Sequence, residues 1–127
     1  MTLNTYTFQA DKPGGLLNMN SRPSHWDRAG GNAIWRDAAF WWAKKEHLRC
    51  RGAIGPVEIW VEFGTKYPDK RRDPSNFYPT VKAICDGFTH ACVWGDDDSK
   101  HVHTNEPSFT NSIPARALQI TLSWETE

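Results

Sequence analysis

Along residues 57–63, apolar and polar side chains alternate without a break. Val57, Ile59, Val61 and Phe63 fall on one side, and Glu58, Trp60 and Glu62 on the other. A period of two is that of a strand with one buried face. A weaker alternation predicts a first strand over 4–10, with Tyr6 and Phe8 opposite Thr5, Thr7 and Gln9. It also predicts a last strand over 117–124, with Leu118, Ile120, Leu122 and Trp124 inward. Elsewhere the period lengthens. Trp35, Ala38, Ala39 and Trp42 follow i, i+3, i+4, i+7 spacing and predict a helix over 33–47, its start blurred by Gly30-Gly31. Val81, Ile84, Cys85 and Phe88 predict a second helix over 80–91, with Lys82 and Asp86 four apart on another face. Residues 11–25 are rich in Pro, Gly, Asn and Ser, a long loop of the kind that often carries function. Residues 64–76 read as a polar, basic loop, 96–98 as a turn, and 100–104 as a short strand. The order β-α-β-α-β-β predicts the α/β (α+β) class, a single domain over 1–127 with one small mixed sheet and two main helices packed on it.

Composition changes this picture in two places. The 127 residues suit one core without staples, and 39% hydrophobic with 24% charged residues is an ordinary balance. Seven tryptophans are many for so short a chain, so an aromatic dimer interface or a nucleic-acid contact is expected beside the core. The stretch Trp35 to Trp42 suits a dimer interface or simply the core. The 15 basic and 15 acidic residues cancel, which argues against a nonspecific DNA-coating protein and leaves open one whose acidic and basic groups are separated in space. Cys50, Cys85 and Cys92 are odd in number and form no C-x-x-C pair, which predicts a reducing, cytoplasmic setting. The N-terminus lacks a signal-peptide layout, and no apolar run reaches the roughly 20 residues of a bilayer span, so no membrane partner is expected.

The chemistry concentrates in residues 71–102. Arg71-Arg72-Asp73-Pro74-Ser75-Asn76 is followed by Lys82 and Asp86 on the second helix and then by Asp96-Asp97-Asp98-Ser99-Lys100-His101-Val102. Carboxylates at that density repel each other unless a divalent cation sits among them. Magnesium takes oxygen ligands, keeps several waters and uses one or two chain carboxylates. With phosphodiesters it neutralises phosphoryl charge and activates water. A helix of about 12 residues is roughly 18 Å long, so its two ends cannot reach one ion, and Asp86, in mid-helix, is the plausible bridge. Each part also has a plainer reading: a solvated Asp-rich turn, a cap at Asp73, an exposed Lys82–Asp86 helix pair. The aspartates do not fit a calcium loop. His101 and His103, with Cys92 or His90, raise zinc, although their spacing fits no standard zinc site.

Taken together, these residues resemble the RusA family of Holliday junction resolvases in its phage and prophage form. The likeness runs through Arg72-Asp73-Pro74-Ser75-Asn76, Pro79-Thr80-Val81-Lys82-Ala83-Ile84-Cys85-Asp86-Gly87 and Asp96 to Val102. It implies a homodimeric endonuclease, dependent on Mg2+ with Mn2+ as the alternative ion, that resolves four-way DNA junctions by symmetric nicks. It implies catalytic roles for Asp73, Lys82, Asp86 and Asp98, and metal ligation by Asp73, Asp86, Asp97 and Asp98. Lys66, Lys70, Arg71, Arg72 and Asn76 are then expected along the DNA, with Asn76 orienting a ligand or the loop. Phe77 and Tyr78 could stack on opened bases or simply pack. One departure stands out. Many members have a second aspartate where this chain has Ser75, a far weaker magnesium ligand. A protein that binds branched DNA with weak or lost cleavage is therefore the rival expectation, and a zinc-stabilised interaction module is a third.

Overall fold

The alternating and helical patterns become real elements in a computed structural model that describes residues 1–19, 25–96 and 98–127, residues 25–29 by backbone alone. Strand β1 (Thr2–Asp11) leads to helix α1 (His25–Lys45), strand β2 (Ile54–Gly64), a 3-10 turn (Pro74–Phe77), helix α2 (Tyr78–His90), strands β3 (Val102–Thr104) and β4 (Ser108–Thr110), and strand β5 (Ala117–Thr126). This is a small α+β domain with a mixed sheet of five strands and two helices.

The sheet order is β1-β5-β2-β3, with β4 also paired to β2. β5 runs antiparallel to both β1 and β2, while β3 and β4 lie parallel to β2 one after the other. A register shift in the β2–β5 pairing falls between Ile54 and Glu58, at Gly55-Pro56. The apolar face of the sheet is the alternation read directly: Val57, Ile59, Val61, Phe63, Leu118, Ile120, Leu122 and Phe8 are all buried. Both helices lie on that face. Phe8 meets Phe88 of α2 at 6.5 Å between ring centroids, and Trp35 of α1 meets Phe63 edge-on at 6.3 Å. The opposite face is a polar ladder, with Thr7 bonded to Thr121 (3.0 Å), Gln9 to Gln119 (3.4 Å) and His103 to Glu58 (3.1 Å).

α2 buries Val81, Ile84, Cys85 and Phe88, as its spacing requires. α1 begins at His25, well before the residue 33 that the sequence suggests. Gly30 and Gly31 each cost about 1 kcal/mol relative to Ala in a helix, and tertiary contact overrides that cost. A Cβ on Gly31 would lie 2.8 Å from Leu17 Cδ2, so the glycine makes room for the loop over residues 12–19. The helices touch backbone to backbone at Gly87, where a Cβ would stand 2.3 Å from the Arg36 carbonyl oxygen.

The described part of the long N-terminal loop is pinned to the helices. The Thr80 hydroxyl, fully buried, accepts from the Leu17 amide (2.8 Å) and donates to the Leu17 carbonyl (3.0 Å). Trp35 Nε1 donates to the Gly15 carbonyl (2.8 Å). The loop residues Asn20 to Ser24 lie outside the described residues. β4 escaped the sequence reading because three residues are too few to show alternation.

The tryptophans divide. Trp35 and Trp94 are buried, Trp42 and Trp124 half-buried, and Trp41 projects from α1 at 66% exposure. Cys50 and Cys85 are buried thiols and Cys92 an exposed one. Burial pushes the Cys50 thiol up to about 12. No helix among the described residues is long and apolar enough to cross a membrane.

Candidate functional site

The basic loop after β2 is tied back onto the sheet by one of its own cations. The Arg72 guanidinium lies 4.3 Å over the Phe109 ring, and its Nη2 donates to the Tyr67 carbonyl (3.2 Å). Phe109 in turn packs on Phe63 and Phe77. Arg72 Nη1 is shielded from solvent and has no hydrogen-bond partner among the described residues. Arg72 was expected along DNA, yet in this conformation it braces the loop that presents Asp73. Lys66, Lys70 and Arg71 are exposed, and Lys66 and Lys70 line a shallow depression of about 520 Å³ with Tyr67 and Asn111.

Asp73 opens the 3-10 turn. Its Oδ1 accepts from the Ser75 amide (3.0 Å) and the Ser75 hydroxyl (2.7 Å). Ser75, which replaces an expected carboxylate, thus serves the cap of Asp73. The Asn76 amide donates to the Asp73 carbonyl (3.0 Å), and the Asn76 carbonyl accepts from Met19 (2.8 Å). The asparagine backbone therefore joins the 3-10 turn to the N-terminal loop.

From α2, Lys82 and Asp86 project one turn apart with Nζ and Oδ1 at 3.8 Å, and their side chains are 74% and 40% exposed. Both line a cavity of about 750 Å³ between the two helices, closed by Asn32 and Arg36 of α1, Tyr78 of α2, Ser99 of the following turn, and His103 of β3. Neither Asn32 nor Arg36 was expected at a site. Their i, i+4 spacing is the signal that could have placed them together on a functional face.

Asp98 sits in the turn next to Ser99. Its Oδ1 accepts from the Lys100 amide (3.1 Å) and bonds His101 Nδ1 (2.6 Å). The His101 hydrogen bond, reinforced by its charge and by the amides of Lys100 and His101, holds the Asp98 carboxyl below the usual carboxylate range against a smaller upward push from desolvation. Asp97, an expected metal ligand, lies outside the described residues.

The cavity gathers Lys82 and Asp86, with the Asp98-bearing turn at its border through Ser99. Asp73 and Asp98 are each engaged by their own neighbours. Among the described residues, no group of three or more His, Cys, Asp or Glu side chains could hold one metal ion. A joint site of Asp73, Asp86 and Asp98 does not fit that geometry. A magnesium ion that takes one or two chain carboxylates and otherwise water and phosphate oxygens does fit at Asp86, which faces an open cavity beside a cation.

No family model matches the chain, and no curated protein sequence matches it. Among solved structures, it is similar to thiamine monophosphate kinase from Aquifex aeolicus, at 16% identity and a TM-score of 0.38 over 98% of this chain. The chain spans 34% of the length of that kinase. A superposition at that score has no weight for fold or function.

Proposed function

We propose that this chain is a RusA-type, structure-selective endonuclease that binds four-way DNA junctions and cuts them by paired nicks, in the cytoplasm of a cell carrying a phage or prophage. The observation that carries the reading is the exposed Lys82–Asp86 pair at an open cavity, bordered by the turn that holds Asp98. These residues belong to the same stretch, 71–102, that resembles the family.

In this reading a phosphodiester lies against the cavity mouth. Lys82 donates to its non-bridging oxygens and stabilises the charge that grows there as the bond breaks. Arg36 adds a second cation to the same cavity. Magnesium, held at Asp86 with waters and the substrate's own oxygens, would supply charge neutralisation and water activation. Tyr78 offers a ring to a base opened at the branch point. Lys66, Lys70 and Arg71 take the flanking backbone, contacts that give affinity without sequence preference. Two nicks related by two-fold symmetry require two such sites, so the working form is a homodimer.

A second reading, binding of branched DNA without cleavage, is favoured by Ser75 and by the engagement of Asp73 Oδ1 in its own turn. One assay separates the two. A labelled synthetic junction is incubated with protein and Mg2+ or Mn2+, with a chelator as control. Paired nicks that fall about 100-fold or more in Lys82→Ala and Asp86→Asn support the nuclease. Tight binding of the junction with no nicks under either ion would replace it with the binding-only reading.

A further inference from the structure

A second cavity, of about 430 Å³, opens where the two helices end, lined by Ala43, Lys44, His47, Leu48, Arg49, Arg51 and Ala91. Its four basic side chains are all exposed. Among the described residues, none of Lys44, Arg49 and Arg51 pairs with a carboxylate. The nearby Glu46 bonds the Tyr6 hydroxyl instead (2.9 Å). In a chain of zero net charge, such a concentration of one sign is a local feature that composition conceals.

The site is built rather than incidental. Both helices stop with the chain in the left-handed region, at His47 (φ 53°) and Cys92 (φ 63°). Each stop is closed by the wide hydrogen bond of a Schellman turn, Leu48 amide to Ala43 carbonyl (2.9 Å) and Val93 amide to Phe88 carbonyl (3.0 Å). The two exits are then joined by the Cys50 amide, which donates to the Val93 carbonyl (3.0 Å), and by Arg49 Nη1, which donates to the Cys92 carbonyl (2.9 Å). Favourable placement of cations at helix C-termini accounts for Lys44 and Lys45. It does not account for Arg51, nor for the remaining N–H groups of Arg49.

This cavity and the candidate site lie along one seam, where α1 and α2 pack together. Arg36 faces Lys82 and Asp86 across the first cavity; Gly87 then packs on Arg36 and Ala39; Phe40 stands 5.4 Å from His90; and Lys44 and His47 face Ala91. Lys82 and Ala91 are nine residues apart, roughly 13 Å along α2. At 3.4 Å per nucleotide of one strand, that is about four nucleotides of a duplex.

We propose that the cationic pocket of Lys44, His47, Arg49 and Arg51 is a second nucleic-acid contact, which holds the phosphate backbone of a duplex arm as it leaves the candidate site. The inference rests on the proposed function for its ligand, and its own content is the place and direction of the arm. Neutralised phosphates release counterions, so each lost contact lowers the slope of log affinity against log salt by about one. Fluorescence anisotropy of a labelled four-way junction at several salt concentrations reads this slope. Arg49→Ala/Arg51→Ala should lower it by about two and weaken low-salt binding by roughly tenfold. Arg51→Ala alone, which removes no hydrogen bond among the described residues, should lower it by about one.

A slope unchanged in both variants, with tight wild-type binding, overturns the second contact and leaves the proposed function standing. A lowered slope in a protein that never nicks the junction removes the nuclease and leaves the contact. A wild type that binds no DNA removes both.

Discussion

The seam between α1 and α2 and the two turns that carry Asp73 and Asp98 are held by different means. At the seam, backbone meets backbone over Gly87, with Trp35, Ile84 and Phe88 sealed around it. In the turns, each carboxylate is fixed by an amide and a side chain within three residues of itself, in solvent reach. Global stability should therefore depend on the seam, and the turns should be open to damage with little effect on it.

The sharpest way to break that separation is Gly87→Ala. Its Cβ would press on the Arg36 carbonyl, a backbone atom that cannot swing aside, and separating the helices should cost about 3 kcal/mol in a urea titration. A cost near zero would mean that the seam is loose. Next is Thr80→Val, which strips both partners from the Leu17 backbone and should cost about 2 kcal/mol. The same change should speed proteolysis within the N-terminal loop, because both Leu17 bonds to α2 are lost together.

Asp73→Ala removes a cap of the exposed turn and should cost about 1 kcal/mol. A loss as large as that of Gly87→Ala would place Asp73 within the cooperative core.

The smallest effect is read by acid. Asp98 in the folded protein titrates below its unfolded value, so its contribution is complete above the unfolded value of about 3.9 and is lost as pH falls through the folded one. Stability of Asp98→Asn should therefore fall less steeply than wild type below about pH 4. Parallel acid limbs would show that the His101 bond adds nothing.

The same division explains what the sequence made legible. β2, β5 and α2 were readable because one buried face imposes its period on consecutive residues. The early start of α1 was not, since Gly30 and Gly31 read as punctuation until Leu17 is known to pack on Gly31. At the candidate site, Lys82 and Asp86 were legible from spacing within one helix. Arg36 was not, because only the packing of α1 beside α2 brings it to the same cavity. The stacking of Arg72 was hidden for a related reason. A cation in a basic loop suggests solvent and phosphate, and nothing nearby in sequence announces that Phe109 lies beneath it.

One further consequence follows from the strand order. β5 follows the other four strands in the chain, yet it lies between β1 and β2 and pairs with both. A nascent chain that ends before residue 117 holds β1 with no neighbour and β2 with one long edge bare. Cooperative folding must wait until β5 has been made, and until then two strand edges stay bare.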